Sequence, residues 1–319
     1  MPLFAGRASA STPSKGRRMR LDGVLFFPVT PFGDDGDLAE QVLAEHVARG
    51  VAAGAGGVFT ACGTGEFNAL DLDEYTRVVA TSVAATGGRV PVFSGAGGTL
   101  PAARAIARAA AEQGADGLLL MPPYLVSAPP EGLVRYVRDV AAAGGLPVII
   151  YQRGTARFSP AAVAELATVP NVIGFKDGLG DLDLLQRIIL TVRRESEREF
   201  TFFNGLPTAE LTVPAYRGLG VTLYSSAVFA FAPEIALAFH KAVTGGDEVL
   251  VQRLLTGFYL PLVDLRDRVP GYAVSLVKAG VRLRGLDVGG VRAPLVDPSP
   301  EHLAELAAIL ATGLELAGA

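Results

Sequence analysis

Lys176 is the residue whose type and setting most directly suggest covalent chemistry. The chain has four lysines in 319 residues, and the others lie in a basic N-terminal stretch (Lys15) or inside predicted helices (Lys241 and Lys278). Only Lys176 ends an apolar run, Val172-Ile173-Gly174-Phe175. If that run is a strand, it delivers the amine into an apolar mouth, where burial disfavours the ammonium and leaves a neutral nitrogen able to attack a carbonyl. The competing reading is a rim lysine paired with Asp177. Tyr151 ends the preceding apolar run, so its hydroxyl can reach the same opening and relay protons; otherwise it is an aromatic cap on the core. The Gly63-Thr64-Gly65-Glu66 turn offers backbone N–H groups and a hydroxyl to a substrate carboxylate. Arg153 carries a planar fork suited to a carboxylate, or else is a solvated loop arginine. Asn204 and Ser225 join the polar set by strand-end position alone.

Several chemistries find no residues to carry them. His46, His240 and His302 are far apart on stretches that read as helices, and Cys62 is the only cysteine, so neither a metal site nor an internal disulfide is expected. With no histidine placed to activate it, Cys62 reads as a small packing residue. The Gly63–Glu66 turn lacks the Gly-Lys-Ser/Thr ending of a phosphate loop, and Gly95-Ala96-Gly97-Gly98 lacks the full dinucleotide fingerprint, so no nucleotide cofactor is expected. A formal net charge of -4 supplies no global basic field for nucleic acid. The apolar runs are short, whereas a membrane span needs roughly 20 residues, so a soluble, cytoplasmic protein without a membrane partner is expected.

The elements that must position these side chains follow from hydrophobic periodicity. Short β-branched or apolar runs at 24–29, 57–60, 90–94, 117–121, 148–151, 172–176, 200–204 and 221–224 alternate with segments of helical period. Those segments span 38–53, 72–85, 102–113, 131–143, 161–167, 182–195, 208–216 and 232–243. Pro101, Pro160 and Pro207 sit where a first helical turn tolerates a missing N–H, and Gly114, Gly144 and Gly245 follow helix ends. The pattern predicts an α/β fold, a (β/α)8 TIM barrel over 21–245, with an open doubly wound sheet as the competing layout. Amphipathic stretches at 249–269, 273–284 and 300–316 predict a C-terminal helical extension over 246–319 packed on the barrel, while residues 1–20, basic and without an apolar core, read as a flexible tail. In a barrel the site forms at the carboxyl ends of the strands, where the polar residues above all stand.

Those residues also carry a resemblance. Val29-Thr30-Pro31-Phe32, Gly63-Thr64-Gly65-Glu66, Pro122-Pro123-Tyr124, Tyr151 and Gly174-Phe175-Lys176-Asp177 are similar to the motifs of the dihydrodipicolinate synthase and N-acetylneuraminate lyase superfamily of Schiff-base barrels, over about residues 21–315. Tyr151-Gln152-Arg153, the run from Gly174 to Asp181, the run from Asn204 to Glu210, and Tyr224 to Phe229 most resemble its 5-dehydro-4-deoxyglucarate dehydratase branch. Gly63 replaces the first threonine of the synthase turn, Leu125 stands where the synthase lends a second tyrosine across an interface, and the synthase arginine is displaced, with Arg153 or Arg157 as substitutes. The first two departures remove relay hydroxyls and argue against the synthase reaction.

The resemblance implies decarboxylating dehydration of a keto sugar diacid through an imine on Lys176, with Tyr151 moving protons. It further implies that Thr64 and the backbone of Gly63 and Gly65 hold the nearer carboxylate, that Arg153, Asn204 and Ser225 serve the distal end, and that the subunits form a homotetramer. Another Schiff-base lyase of the superfamily, or a non-catalytic keto-acid-binding barrel, are the alternatives.

Overall fold

The structure, a computed structural model, describes residues 21–123 and 126–319. The expected basic tail, and Tyr124 and Leu125 of the motif comparison, lie outside the described residues. Eight strands, β1 (Leu25–Phe26), β2 (Gly57–Thr60), β3 (Val92–Ala96), β4 (Gly117–Leu120), β5 (Val148–Gln152), β6 (Val172–Asp177), β7 (Thr201–Asn204) and β8 (Leu223–Ser226), pair in parallel in chain order. Leu25 pairs with Ser225, so β8 returns to β1 and the sheet closes as a barrel rather than opening as a doubly wound sheet. Strands β3 and β8 begin two residues later than the apolar runs suggest, and β1 pairs over only two residues. Pro91 accounts for the first shift, because it has no N–H to give a ladder.

Each strand is followed by a helix: α1 (Glu40–Ala52), α2 (Leu72–Thr86), α3 (Leu100–Glu112), α4 (Pro130–Gly144), α5 (Pro160–Ala167), α6 (Leu182–Glu195), α7 (Val213–Gly218) and α8 (Pro233–Gly245). Side chains set several of the starts. Asp71 closes a capping box with Glu74 at α2, and Thr99, Ser159 and Asp181 accept backbone N–H groups at α3, α5 and α6. The helix predicted over 208–216 is instead a 3-10 turn at Ala209–Thr212 followed by α7. Pro214 starts that short helix, and Thr208 stands before the turn in the left-handed region at φ 49°.

Beyond α8 the chain forms α9 (Glu248–Leu254), a π turn (Leu255–Tyr259), α10 (Leu260–Arg266), α11 (Tyr272–Leu283) and α12 (Pro300–Ala317). The stretch predicted as continuous over 249–269 is broken because Pro261 cannot donate the N–H of an ordinary turn, and the wider π spacing precedes it. Helix α12 packs on α8, α11 and the π turn. Gly257 makes room there: a Cβ on it would lie 2.7 Å from Leu316. Phe27 stacks on Phe59 and Phe59 on Phe93, with centroids 4.8 and 5.0 Å apart, giving an aromatic base on which the site is built. No described helix is long and apolar enough to cross a membrane.

Candidate active site

A cavity of about 560 Å³ opens where the strands end, within the range of small-molecule sites. Its walls come from the segments after β1, β2, β4, β5, β7 and β8, from Lys176 within β6, and also from α10 and α11. Strand β6 places Lys176 there with only 6% of its surface exposed. Nζ sits between two aromatic rings, 4.4 Å from the centroid of Phe27 and 4.5 Å from that of Tyr151. Among the described residues it has no carboxylate partner.

Asp177, the expected alternative partner, is occupied elsewhere. It accepts from Tyr216 Oη at 2.5 Å, Gln152 Nε2 at 3.1 Å, and the N–H groups of Leu179 and Gly180 at 3.1 and 3.2 Å. Burial therefore dominates at Lys176 and lowers its pKa to about 7. Gly205 makes the pose possible: a Cβ there would come within 2.6 Å of Lys176 Cγ.

Tyr151 lies against Lys176 at the end of β5. Its hydroxyl donates to the Gly205 carbonyl at 2.8 Å and accepts from Arg153 Nη1 at 3.0 Å. Burial raises its pKa, so the phenol stays protonated, with Arg153 partly offsetting the shift. Gly178 fits above the ring, where a Cβ would lie 2.8 Å from it. Cys62 also lines the cavity. Its thiol donates to the Thr60 carbonyl at 3.4 Å and burial pushes its pKa up to about 12, so it is a neutral wall atom.

Of the other expected site residues, Gly63, Thr64, Arg153 and Ser225 line the cavity. Gly63 leaves open space, since a Cβ on it would meet nothing within 4 Å. Gly65 and Asn204 do not line it. The carbonyl of Gly65 accepts from Thr30 Oγ1 at 2.7 Å, which pins the turn to the segment that follows β1. Asn204 spends its amide on its own loop, donating to the Ala209 carbonyl and to Thr212 Oγ1 at 3.1 and 2.8 Å and accepting from the Leu206 N–H at 3.2 Å. A strand-end position alone cannot tell a binding amide from one that caps its loop. Arg157 is exposed and stands off the cavity.

The sequence reading missed Phe27, Thr208, Arg266 and the wall from α11. Phe27 hid inside an ordinary apolar run, and the contacts of Thr208 with Arg266 join residues 58 apart, where no local pattern signals them. Among the described residues lining the cavity, Lys176, Arg153 and Arg266 are the ionisable bases and no carboxylate appears. Such a lining favours an anionic guest.

Residues 20–312 match the model of the dihydrodipicolinate synthetase family. A Streptomyces avermitilis protein named "Probable 5-dehydro-4-deoxyglucarate dehydratase 1" is 60% identical over 307 residues, covering 96% of this chain and 98% of that protein. Among solved structures, dihydrodipicolinate synthase from Bacillus clausii superposes with a TM-score of 0.83 at 25% identity, covering 91% of this chain and 97% of that one. YagE from E. coli, described as a prophage protein of the dihydrodipicolinic acid synthase family in complex with pyruvate, gives 0.81 at 26%, over 91% and 98%. With its closed barrel, its strand-end lysine and a family match across nearly all of its length, this chain belongs to the dihydrodipicolinate synthetase family.

Proposed function

We propose that this protein is a Schiff-base dehydratase that converts 5-dehydro-4-deoxy-D-glucarate into 2,5-dioxopentanoate, water and carbon dioxide. The observation that carries the reading is Lys176: a buried amine without a carboxylate partner, held between two rings at the floor of a cavity lined by bases. The name of the 60% identical relative supports the choice of substrate.

In this reading the neutral Nζ adds to the ketone carbon and expels its oxygen as water, forming an iminium. That electron sink acidifies the adjacent methylene, and Tyr151 is placed to pass the released proton onward. The neighbouring hydroxyl then leaves as a second water, giving a conjugated iminium. Loss of the distal carboxylate as carbon dioxide sends its bonding pair into that system and leaves an enol, which becomes the aldehyde. Water finally hydrolyses the imine and restores the amine. The sum is one water and one carbon dioxide lost per substrate.

Thr64 and the backbone at Gly63 are assigned to the carboxylate beside the imine, and Arg153 and Ser225 to the polar groups further along. The same reading carries a homotetramer acting in the cytoplasm in glucarate breakdown. Incubation with 5-dehydro-4-deoxy-D-glucarate should release carbon dioxide, and borohydride should fix the substrate carbon skeleton to the Lys176 peptide. Release of pyruvate instead would place the protein among the aldolases of the family.

A further inference from the structure

The cavity wall carries a polar pair that the reaction above leaves unused. Arg266, the last residue of α10, lines the cavity with its side chain 16% exposed, far less open than Arg153 at the mouth. Nη1 donates to Thr208 Oγ1 at 2.8 Å, while Nε and Nη2 hold the two oxygens of Asp267 at 2.8 and 3.1 Å. Thr208 is buried, lines the same cavity, and keeps a left-handed backbone that a β-branched residue rarely adopts. Conformations of that kind persist where the surroundings over-determine them, and they cluster at ligand sites. The Thr208 hydroxyl accepts from Arg266, and no acceptor for its own proton is found among the described residues. Two donors thus stand side by side on the wall of a cavity that has no carboxylate of its own.

We propose that Arg266 and Thr208 together bind the second carboxylate of the substrate and set the preference for keto diacids over keto monoacids, an inference that rests on the keto-diacid reading above. The pair fits a carboxylate that must later depart. Asp267 already takes two of the guanidinium donors, so the charge offered to the substrate is partly offset, and the ground state is held less tightly than by an unbalanced cation. The Thr208 hydroxyl supplies direction at no cost in charge.

The test compares Arg266→Gln, Arg266→Lys and Thr208→Ala in the full chain. The readout is the concentration of a keto acid that halves borohydride labelling of Lys176 by pyruvate, with the labelled peptides separated by mass. It is taken for the six-carbon keto diacid and for its analogue in which the distal carboxylate is a hydroxymethyl group. Arg266→Gln should raise that concentration for the diacid by roughly 10- to 100-fold, the range of a lost charge-assisted hydrogen bond. It should leave the monoacid value and pyruvate labelling unchanged. Thr208→Ala should give a diacid-specific loss of about 5-fold, and Arg266→Lys a partial rescue. A diacid preference preserved in both Arg266→Gln and Thr208→Ala overturns the proposal. Should Arg266→Gln fail to label with pyruvate, Thr208→Ala decides alone. If the wild type labels with pyruvate and prefers the diacid yet releases no carbon dioxide, the dehydratase reading fails while the pair keeps its role.

Discussion

For Lys176, reactivity depends on the loss of one proton, and the cavity makes that loss easy near neutrality. With its pKa lowered to about 7 by burial, the amine is charged and inert below that value and free to attack above it. A plot of kcat/KM against pH should therefore climb through about pH 7 and level off on the alkaline side, and an acid limb near the ordinary lysine value would contradict the burial argument. Lys176→Arg, which keeps a cation that cannot condense, should abolish both turnover and borohydride labelling while the circular dichroism spectrum stays unchanged. Gly205→Ala attacks the same point from outside. Its new methyl would overlap the lysine side chain, so labelling should drop at least tenfold without loss of the fold. The place of Lys176 and Tyr151 at the cavity was legible in the sequence because each is a polar residue ending an apolar run. Asn204 satisfied the same rule yet turned back onto its own loop.

The helices after the barrel do more at the level of elements than their amphipathic pattern discloses. Lys278 of α11 reaches the Gly63–Glu66 turn and donates to Glu66 Oε1 at 2.7 Å, with both side chains fully buried. Glu66 Oε2 accepts the Arg292 N–H at 2.9 Å, and the Arg292 guanidinium grips Glu74 and the carbonyls of Ala69 and Gly36. The turn assigned to the substrate carboxylate is thereby riveted to a helix that supplies another stretch of the wall. Lys278→Met should cost about 3–5 kcal/mol in urea unfolding, since it strands a buried carboxylate. Adding Glu66→Gln should recover part of that loss, and an additive result would mean that the pair is not coupled. None of this could be read from the sequence: Lys278 and Glu66 are 212 residues apart, and each fits its local pattern without the other. The split of the predicted 208–216 helix has a simpler cause in Pro214, which has no N–H to continue a helix through it and suits a first turn.

Across the whole molecule, the eightfold alternation and its Pro and Gly punctuation were enough to predict the strands and outer helices. Closure was not decided by them, because an open sheet satisfies the same alternation; the pairing of Leu25 with Ser225 decides it. The cost of closing so apolar a body over polar groups shows at Glu210. Its carboxyl is wholly buried, accepts from Ser226 Oγ at 2.6 Å, and has its pKa raised by burial to about 7. A proton held more tightly in the fold than in the unfolded chain stabilises the fold below the ordinary pKa of 4.5 and ceases to do so as pH climbs through about 7. Over that window wild-type stability should fall relative to Glu210→Gln by up to about 1.4 kcal/mol per pH unit, measured by denaturant titration; parallel curves would show the acid to be ionised throughout. Helix α11 walls the chamber yet follows all eight strands in the chain, so the barrel alone leaves the lysine's chamber without one of its sides, and the enclosure that keeps the nitrogen dry is complete only when the C-terminal helices are docked.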